Sequence, residues 1–216
     1  MGISFRGMST AAPTGHPPFR VGLIGFGLAG SVFHGPLVTS LADFTLDTVV
    51  TARPERQASA AASYPGVRVV ASAEELWPRA DELDLVVVAS PNRAHAPLAT
   101  AALRAGLPGV VDKPLTATAS EASYLAGLAE ELGLMLAVYQ NRRWDGDFLT
   151  AADGSTAKVP TLPGDYQAFY GGVAAALQGE APPPVTAWDA TASVAVLEAA
   201  RSSAKEGRAI ELDLDQ

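Results

Sequence analysis

Short apolar runs alternate with alanine-rich stretches from Phe19 to about residue 140. This alternation is typical of a parallel sheet whose strands are joined by crossover helices. The run LDLVVVAS is apolar almost throughout, which predicts a strand buried on both faces. The predicted strands are 20–25, 44–51, 67–70, 85–89, 109–112 and 135–139.

The segments between these strands have the character of helices. Ser72 and Glu75 fit a capping box, while Gly106 and Gly133 stand where helices should end. Six strands with five right-handed crossovers predict an α/β fold built on a doubly wound parallel sheet. The predicted helices are 28–41, 54–64, 73–79, 93–105 and 117–132.

The pattern changes after Thr150. A turn-rich stretch over 151–164 is followed by a predicted helix at 165–178 and a proline-rich connector. Thr186 is placed to cap a long helix over 187–205, and 209–212 alternates like an edge strand. We therefore predict a flexible leader over 1–19, a sheet domain over 20–150 and a C-terminal remnant over 151–216 comprising linker, two helices and final strand.

Composition narrows the function classes. Of 216 residues 48% are hydrophobic and 18% charged, which favours a packed globular chain over disorder. The formal net charge of −8 argues against a nucleic-acid partner. The sequence has no cysteine, which excludes disulfides, thiolate metal sites and cysteine nucleophiles. It has only three histidines, so we do not expect a histidine metal cluster. We expect no membrane span and a cytoplasmic location, because no apolar run is long enough and the leader lacks a signal-peptide core.

The sharpest local signal is a glycine-rich turn between the first strand and the first helix. In a GxGxxG turn the first glycine permits the tight bend, the second lets a pyrophosphate approach, and the third allows close packing. A purely structural turn is the alternative, but the surrounding strand and helix pattern favours dinucleotide binding. The turn comprises Gly25, Phe26, Gly27, Leu28, Ala29 and Gly30.

The end of the second strand bears on the choice of cofactor. A carboxylate there would hold a ribose 2′-hydroxyl, as in NAD-binding proteins. The sequence instead has Arg53, which can pair with a 2′-phosphate, so NADP is favoured over NAD. Alternatively Arg53 is simply solvated at the start of a helix, and Glu55 bends back to the ribose.

Three further polar stretches follow strands four, five and six: Ser90-Pro91-Asn92-Arg93-Ala94-His95, Asp112-Lys113-Pro114 and Tyr139-Gln140-Asn141-Arg142-Arg143-Trp144. Carboxyl ends of strands are where this architecture places ligands. Together with the glycine turn, these stretches resemble the glucose–fructose oxidoreductase, inositol dehydrogenase and MocA family (Gfo/Idh/MocA) of NAD(P)-dependent oxidoreductases. The resemblance covers residues 20–150 almost continuously and implies a Rossmann domain that binds a nicotinamide dinucleotide.

The resemblance implies a catalytic role for Lys113, which matches the family lysine beside the nicotinamide. A lysine there can hydrogen-bond the substrate oxygen while hydride moves at the adjoining carbon. Asp112 replaces the commoner glutamate and counts with Lys113 among the cofactor-side residues, while Pro114 matches the family proline. A surface pair between Asp112 and Lys113 is the alternative.

The resemblance also assigns cofactor contacts to Ser90, Pro91, Asn92 and His95 after the fourth strand. Asn92 would serve equally well as a helix cap. His95 lies one turn into a predicted helix, where a packed histidine is the commoner case.

Asn141 and Arg142 are cofactor- or substrate-side candidates on the same ground. A solvated turn is the alternative for both. His34, on the first helix, is expected to pack.

The resemblance resumes near the C-terminus but implies that a domain is missing. Family members ordinarily insert a large, mostly antiparallel sheet domain that shapes the substrate pocket, and little separates Thr150 from Asp153 here. The family's Asp-x-x-x-His segment also has no counterpart. A short C-terminal helical extension therefore replaces the second α+β domain in the expected fold.

Two functions follow from the resemblance. The first is an NAD(P)-dependent oxidoreductase that interconverts a secondary alcohol and a ketone on a sugar, cyclitol or similar polyol. The second is an NADP-binding remnant, sensor or assembly partner without hydride transfer, because half of the site should be open to water. The shortened chain could also reflect an internal deletion from an ordinary family member. Exposed apolar faces would favour a homo-oligomer.

Overall fold

One parallel six-stranded sheet flanked by helices organises the chain. The structure is a computed structural model and describes residues 16–141 and 164–212. The strands run in the order β3-β2-β1-β4-β5-β6, and every neighbouring pair is parallel. Their bounds are β1 Phe19–Ile24, β2 Phe44–Val50, β3 Arg68–Val70, β4 Leu85–Val88, β5 Gly109–Asp112 and β6 Leu136–Tyr139.

The strand order confirms the doubly wound Rossmann fold. The chain builds outward from β1 to β2 and β3 on one side, then returns to add β4, β5 and β6 on the other. The crevice at this reversal opens at the carboxyl ends of β1 and β4, where such folds bind ligands. All four residues of β4 are buried, as its apolar sequence predicts.

The helices have recognisable ends. Thr118 and Thr186 each form a capping box, the second at a residue where the sequence predicts a helix cap. Gly207 ends the last helix with a φ of 66°, a conformation that glycine adopts at little cost. The α-helices are α1 Gly35–Thr39, α2 Pro54–Ser63, α3 His95–Arg104, α4 Ala119–Glu131, α5 Gln167–Leu177 and α6 Ala187–Glu206.

Two predicted helices differ from the structure. The helix expected over 28–41 begins as a π-helical turn at Ala29–His34, in which the Gly35 N–H donates to the Gly30 carbonyl, and continues as α1. The helix expected over 73–79 is instead a pair of 3₁₀ turns, Ala73–Glu75 and Trp77–Glu82. Pro78 lacks the backbone N–H that a continuous α-helix needs, which accounts for the break.

The C-terminal segment packs into the same core as the sheet. The Val138 N–H of β6 donates to the Val185 carbonyl at 3.1 Å, and Phe169 and Tyr170 of α5 are fully buried. This contact partly covers the edge strand β6. Within the described residues no strand forms over 209–212, so the predicted final strand is wrong there. The domain boundary predicted at residue 150 lies outside the described residues.

None of the helices within 16–141 and 164–212 is both long and apolar enough to cross a bilayer.

Candidate functional site

The glycine turn lies at the carboxyl end of β1, and two of its glycines are required by the backbone. Gly25 has a φ of 104°, and a Cβ there would lie 2.4 Å from the Ala89 carbonyl oxygen. A Cβ on Gly30 would lie 2.0 Å from the Gly25 carbonyl oxygen. Larger residues at these two positions would collide with backbone that cannot easily move.

Gly27 differs from these two glycines because no backbone atom excludes a side chain there. Its nearest neighbour would be the Arg56 guanidinium, at 3.6 Å from the added Cβ. The space above Gly27 is therefore left open on the surface of a cleft, as a turn that receives a pyrophosphate requires. Leu28 beside it is 75% exposed, an unusual position for a large apolar side chain.

The cleft in front of the turn has a volume of about 540 Å³. It is formed where the ends of β1, β2 and β4 meet, which is the predicted ligand crevice. Of the predicted cofactor residues, it brings Ser90 and Pro91 together with the turn. Its walls comprise 24–29, 50–52, Arg56, 71–74, 89–91 and Leu98.

Arg53 and Arg56 have different positions relative to this cleft. Arg53 is the extended residue before α2, its side chain is 65% exposed, and it approaches Glu55 at 4.0 Å. Arg56 lies one turn further on, lines the cleft and borders Gly27. The sequence pattern favours Arg53 and does not single out Arg56, although Arg56 is a cation at the third residue of α2.

The loop after β4 is held to the loop after β5 by His95. Its Nε2 lies 2.8 Å from the Ser90 carbonyl oxygen and its Nδ1 lies 2.8 Å from the Pro114 carbonyl oxygen. The ring is 1% exposed, so it joins two loops of the site from behind. Asn92, by contrast, is exposed in a short 3₁₀ turn, Asn92–Ala94, outside the cleft walls.

Ser90 contributes a second polar group to this loop. Its Oγ is buried and has no hydrogen-bond partner among the described residues. Buried hydroxyls are ordinarily satisfied, so this hydroxyl has capacity for a further hydrogen bond.

Lys113 stands at the carboxyl end of β5, two strands from the glycine turn. It is exposed, and it lines a second cleft of about 880 Å³ with Gln140, Asn141 and one side of α6. Asn141 is thus brought to the Lys113 side of the sheet edge. Arg142 lies outside the described residues.

Asp112 contacts the backbone of Lys113 and approaches His34. Its Oδ1 accepts a hydrogen bond from the Lys113 backbone N–H at 2.8 Å and lies 3.9 Å from Nε2 of the buried His34. Burial raises the pKa of Asp112, but its interactions with His34 and Lys113 outweigh burial and hold that pKa below the usual value. The carboxylate is therefore ionised at neutral pH.

Comparison with known proteins agrees with this geometry. The profile of the oxidoreductase family with an NAD-binding Rossmann fold (Gfo/Idh/MocA) matches residues 19–140, and the profile of that family's C-terminal alpha/beta domain matches residues 151–212. The chain is 39% identical over 155 residues to the scyllo-inositol 2-dehydrogenase (NADP(+)) IolW of Bacillus subtilis, covering 70% of this chain and 41% of the relative. It thus spans less than half the length of that relative.

Solved structures agree on the fold. YvaA of Bacillus subtilis superposes with a TM-score of 0.80 at 21% identity, over 90% of this chain and 98% of the other. GenD2, from gentamicin A biosynthesis and solved in complex with NAD, superposes with a TM-score of 0.58 at 28% identity, over 65% of this chain and 40% of the other. The glycine turn, the crevice and the two profiles lead to one conclusion: the chain belongs to the Gfo/Idh/MocA family of oxidoreductases.

Proposed function

We propose that the chain acts as an NADP-dependent oxidoreductase that interconverts a secondary alcohol and a ketone on a sugar, cyclitol or similar polyol. The observation that carries the proposal is the placement of Lys113 at the same sheet edge as the glycine-turn cleft. The NADP(+) and inositol named for the IolW relative are consistent with this cofactor and substrate class.

The residues of the first cleft fit the dinucleotide. Gly27 leaves room for the pyrophosphate, the turn supplies backbone N–H groups, and the buried Ser90 hydroxyl has capacity for a further hydrogen bond. Arg56 offers a forked cation on the wall of this cleft, which suits a phosphate, whereas Arg53 is largely exposed to solvent. We accordingly transfer the phosphate-binding role to Arg56.

Lys113 supplies the chemistry of this chain. When bound, the nicotinamide exchanges hydride with the substrate carbon. The Lys113 ammonium donates a hydrogen bond to the oxygen on that carbon, which stabilises negative charge on a forming alkoxide. Asn141 lies on the same side and is proposed to orient substrate hydroxyls. Proline at 114 and the His95 contacts hold this loop in place.

A cofactor titration and a turnover assay test the proposal. Adding NADP or NAD while following thermal unfolding should raise the midpoint, more strongly for NADP, because only the folded chain binds. Lys113→Ala should then lose turnover of polyols while keeping NADP affinity. Unchanged turnover in Lys113→Ala would remove the proposed role of this lysine.

A second function is an NADP-binding protein that performs no hydride transfer. Lys113 is exposed, and its cleft is open among the described residues. Hydride transfer needs a site from which water is excluded. NADP binding without turnover on any polyol would favour this alternative.

A further inference from the structure

A buried polar pair lies behind the sheet edge, away from both clefts. His34, in the π-helical turn, and Tyr170, on α5, are both fully buried. The His34 Nδ1 lies 2.6 Å from the Tyr170 hydroxyl oxygen. Polar groups in a core cost stability unless they are hydrogen-bonded to each other. Hydrophobic packing alone therefore does not explain why His34 and Tyr170 lie there.

The second ring nitrogen of His34 faces Asp112, the residue before Lys113. His34 Nε2 has no hydrogen-bond partner among the described residues and lies 3.9 Å from Asp112 Oδ1. The same carboxylate oxygen accepts the Lys113 backbone N–H at 2.8 Å. A small movement of the carboxylate would bring Nε2 into hydrogen-bond range.

The Tyr170 hydroxyl, the neutral His34 imidazole and the Asp112 carboxylate favour one arrangement of protons. A neutral imidazole has one donor and one acceptor nitrogen. If Tyr170 donates to Nδ1, the His34 proton is on Nε2 and faces the Asp112 carboxylate. The opposite tautomer would set a nitrogen lone pair against an anion. Burial, with Tyr139 and Asp112 adding to it, raises the pKa of Tyr170 well above the usual value, so its hydroxyl keeps the proton it donates.

We propose that Tyr170 and His34 are positioning residues that hold the Asp112 carboxylate and, through it, the backbone of Lys113. This inference rests on the proposed function in assigning catalysis to Lys113, but the arrangement itself is independent of it. Tyr170 belongs to the C-terminal segment, whereas the other three residues belong to the sheet domain. The C-terminal segment therefore contributes to the Lys113 site in two ways, through α6 in the wall of its cleft and through Tyr170 behind it.

A spectroscopic experiment tests the arrangement without any substrate. The chain has three histidines, at 16, 34 and 95, so ¹⁵N-histidine labelling gives few signals, and His34→Gln identifies that of His34. Long-range ¹⁵N–¹H correlations should show the Nε2–H tautomer for His34. Tyr170→Phe, which removes only the hydroxyl, should move the ¹⁵N signal of His34 Nδ1, because that nitrogen loses its hydrogen-bond donor. An Nδ1–H tautomer in the unmodified protein would overturn the proposal.

A second signal reports on Lys113 itself. The chain has three lysines, at 113, 158 and 205, and Lys113→Ala identifies the Lys113 backbone amide after selective ¹⁵N-lysine labelling. If Tyr170 and His34 hold the Asp112 carboxylate, the hydrogen bond from the Lys113 amide to Asp112 should weaken in both Tyr170→Phe and His34→Gln. The chemical shift of the Lys113 amide proton should then move upfield. An unchanged Lys113 amide in both variants would overturn the proposal.

Kinetics then separates positioning from general stability. Tyr170→Phe should lower kcat about tenfold with the NADP Kd unchanged, since misplaced catalytic groups lose rate more than binding. Tyr124→Phe is the matched control, because the Tyr124 hydroxyl accepts from Arg104 on the exposed surface. If Lys113→Ala is inactive but Tyr170→Phe has a normal kcat, the proposed positioning role of Tyr170 is refuted. If the unmodified protein turns over no alcohol, the proposed function fails, and the two NMR signals decide the arrangement alone.

Discussion

Replacing Arg56 by alanine should change the cofactor preference. Its guanidinium borders the glycine turn, 3.6 Å from a Cβ built on Gly27. A hydrogen bond to a charged group contributes about 1.5–3 kcal/mol, and about 1.4 kcal/mol corresponds to a tenfold change in Kd. We therefore expect Arg56→Ala to weaken NADP binding roughly 10- to 100-fold. NAD has no 2′-phosphate, so its Kd should change little.

Arg53→Ala is the matched control because it removes the same charge three residues away. Arg53 is 65% exposed, and its partner Glu55 is 4.0 Å distant. Exposed ion pairs contribute about 0–1 kcal/mol, so NADP binding should weaken less than about fivefold. Calorimetric titrations of both variants and the unmodified protein, with each cofactor at one ionic strength, give the comparison.

Two results would refute this reasoning. Equal weakening of NADP and NAD in Arg56→Ala would mean that Arg56 supports the glycine turn rather than the phosphate. A larger loss in Arg53→Ala than in Arg56→Ala would place the phosphate outside the cleft, and the sequence-based choice of Arg53 would then be correct.

Three further predictions concern stability and assembly. Gly30→Ala should destabilise the fold by about 3 kcal/mol or more, measured by urea unfolding, because its Cβ would overlap the Gly25 carbonyl; near-normal stability would contradict that geometry. Hydrogen bonds from Arg20 lower the pKa of Asp84, so this pair stabilises the fold above the ordinary aspartate pKa and the stabilisation is lost as pH falls below it. Asp84→Asn should flatten the acid side of the stability profile. Exposed apolar side chains on α6 favour a homo-oligomer, so dilution should lower the thermal midpoint, and a concentration-independent midpoint would count against assembly.

The strands were predictable from sequence because their apolar runs have clear limits. The predicted ends differ from the observed ones by a residue or so, as for 44–51 against Phe44–Val50. Helix type was less legible. The π-helical turn at Ala29–His34 depends on close backbone approach around Gly30, and the 3₁₀ turns near Pro78 depend on a missing N–H, so neither changes the apolar period.

Site residues were predictable where a backbone requirement marks them in sequence. Gly25 and Gly30 are examples, because their conformation and packing require glycine. Side-chain direction was not predictable to the same degree. Arg53 is extended before α2 and Arg56 is helical, and only their three-dimensional placement separates solvent from cleft. The partner of His34 is 136 residues away in sequence, beyond the reach of any local pattern.

Cofactor binding and hydride transfer make different demands on this chain. In the proposed function, cofactor binding uses the glycine turn, Ser90 and Arg56, which line one cleft within residues 16–141. Hydride transfer also requires that Lys113 be oriented and shielded from water. The proposed orientation of Lys113, through Asp112 and the buried pair behind it, lies within the described residues, whereas Lys113 itself is exposed. The two proposed functions therefore share every requirement except shielding, and NADP affinity alone will not distinguish them. Turnover that depends on Lys113 will, because only a shielded lysine stabilises the developing charge strongly.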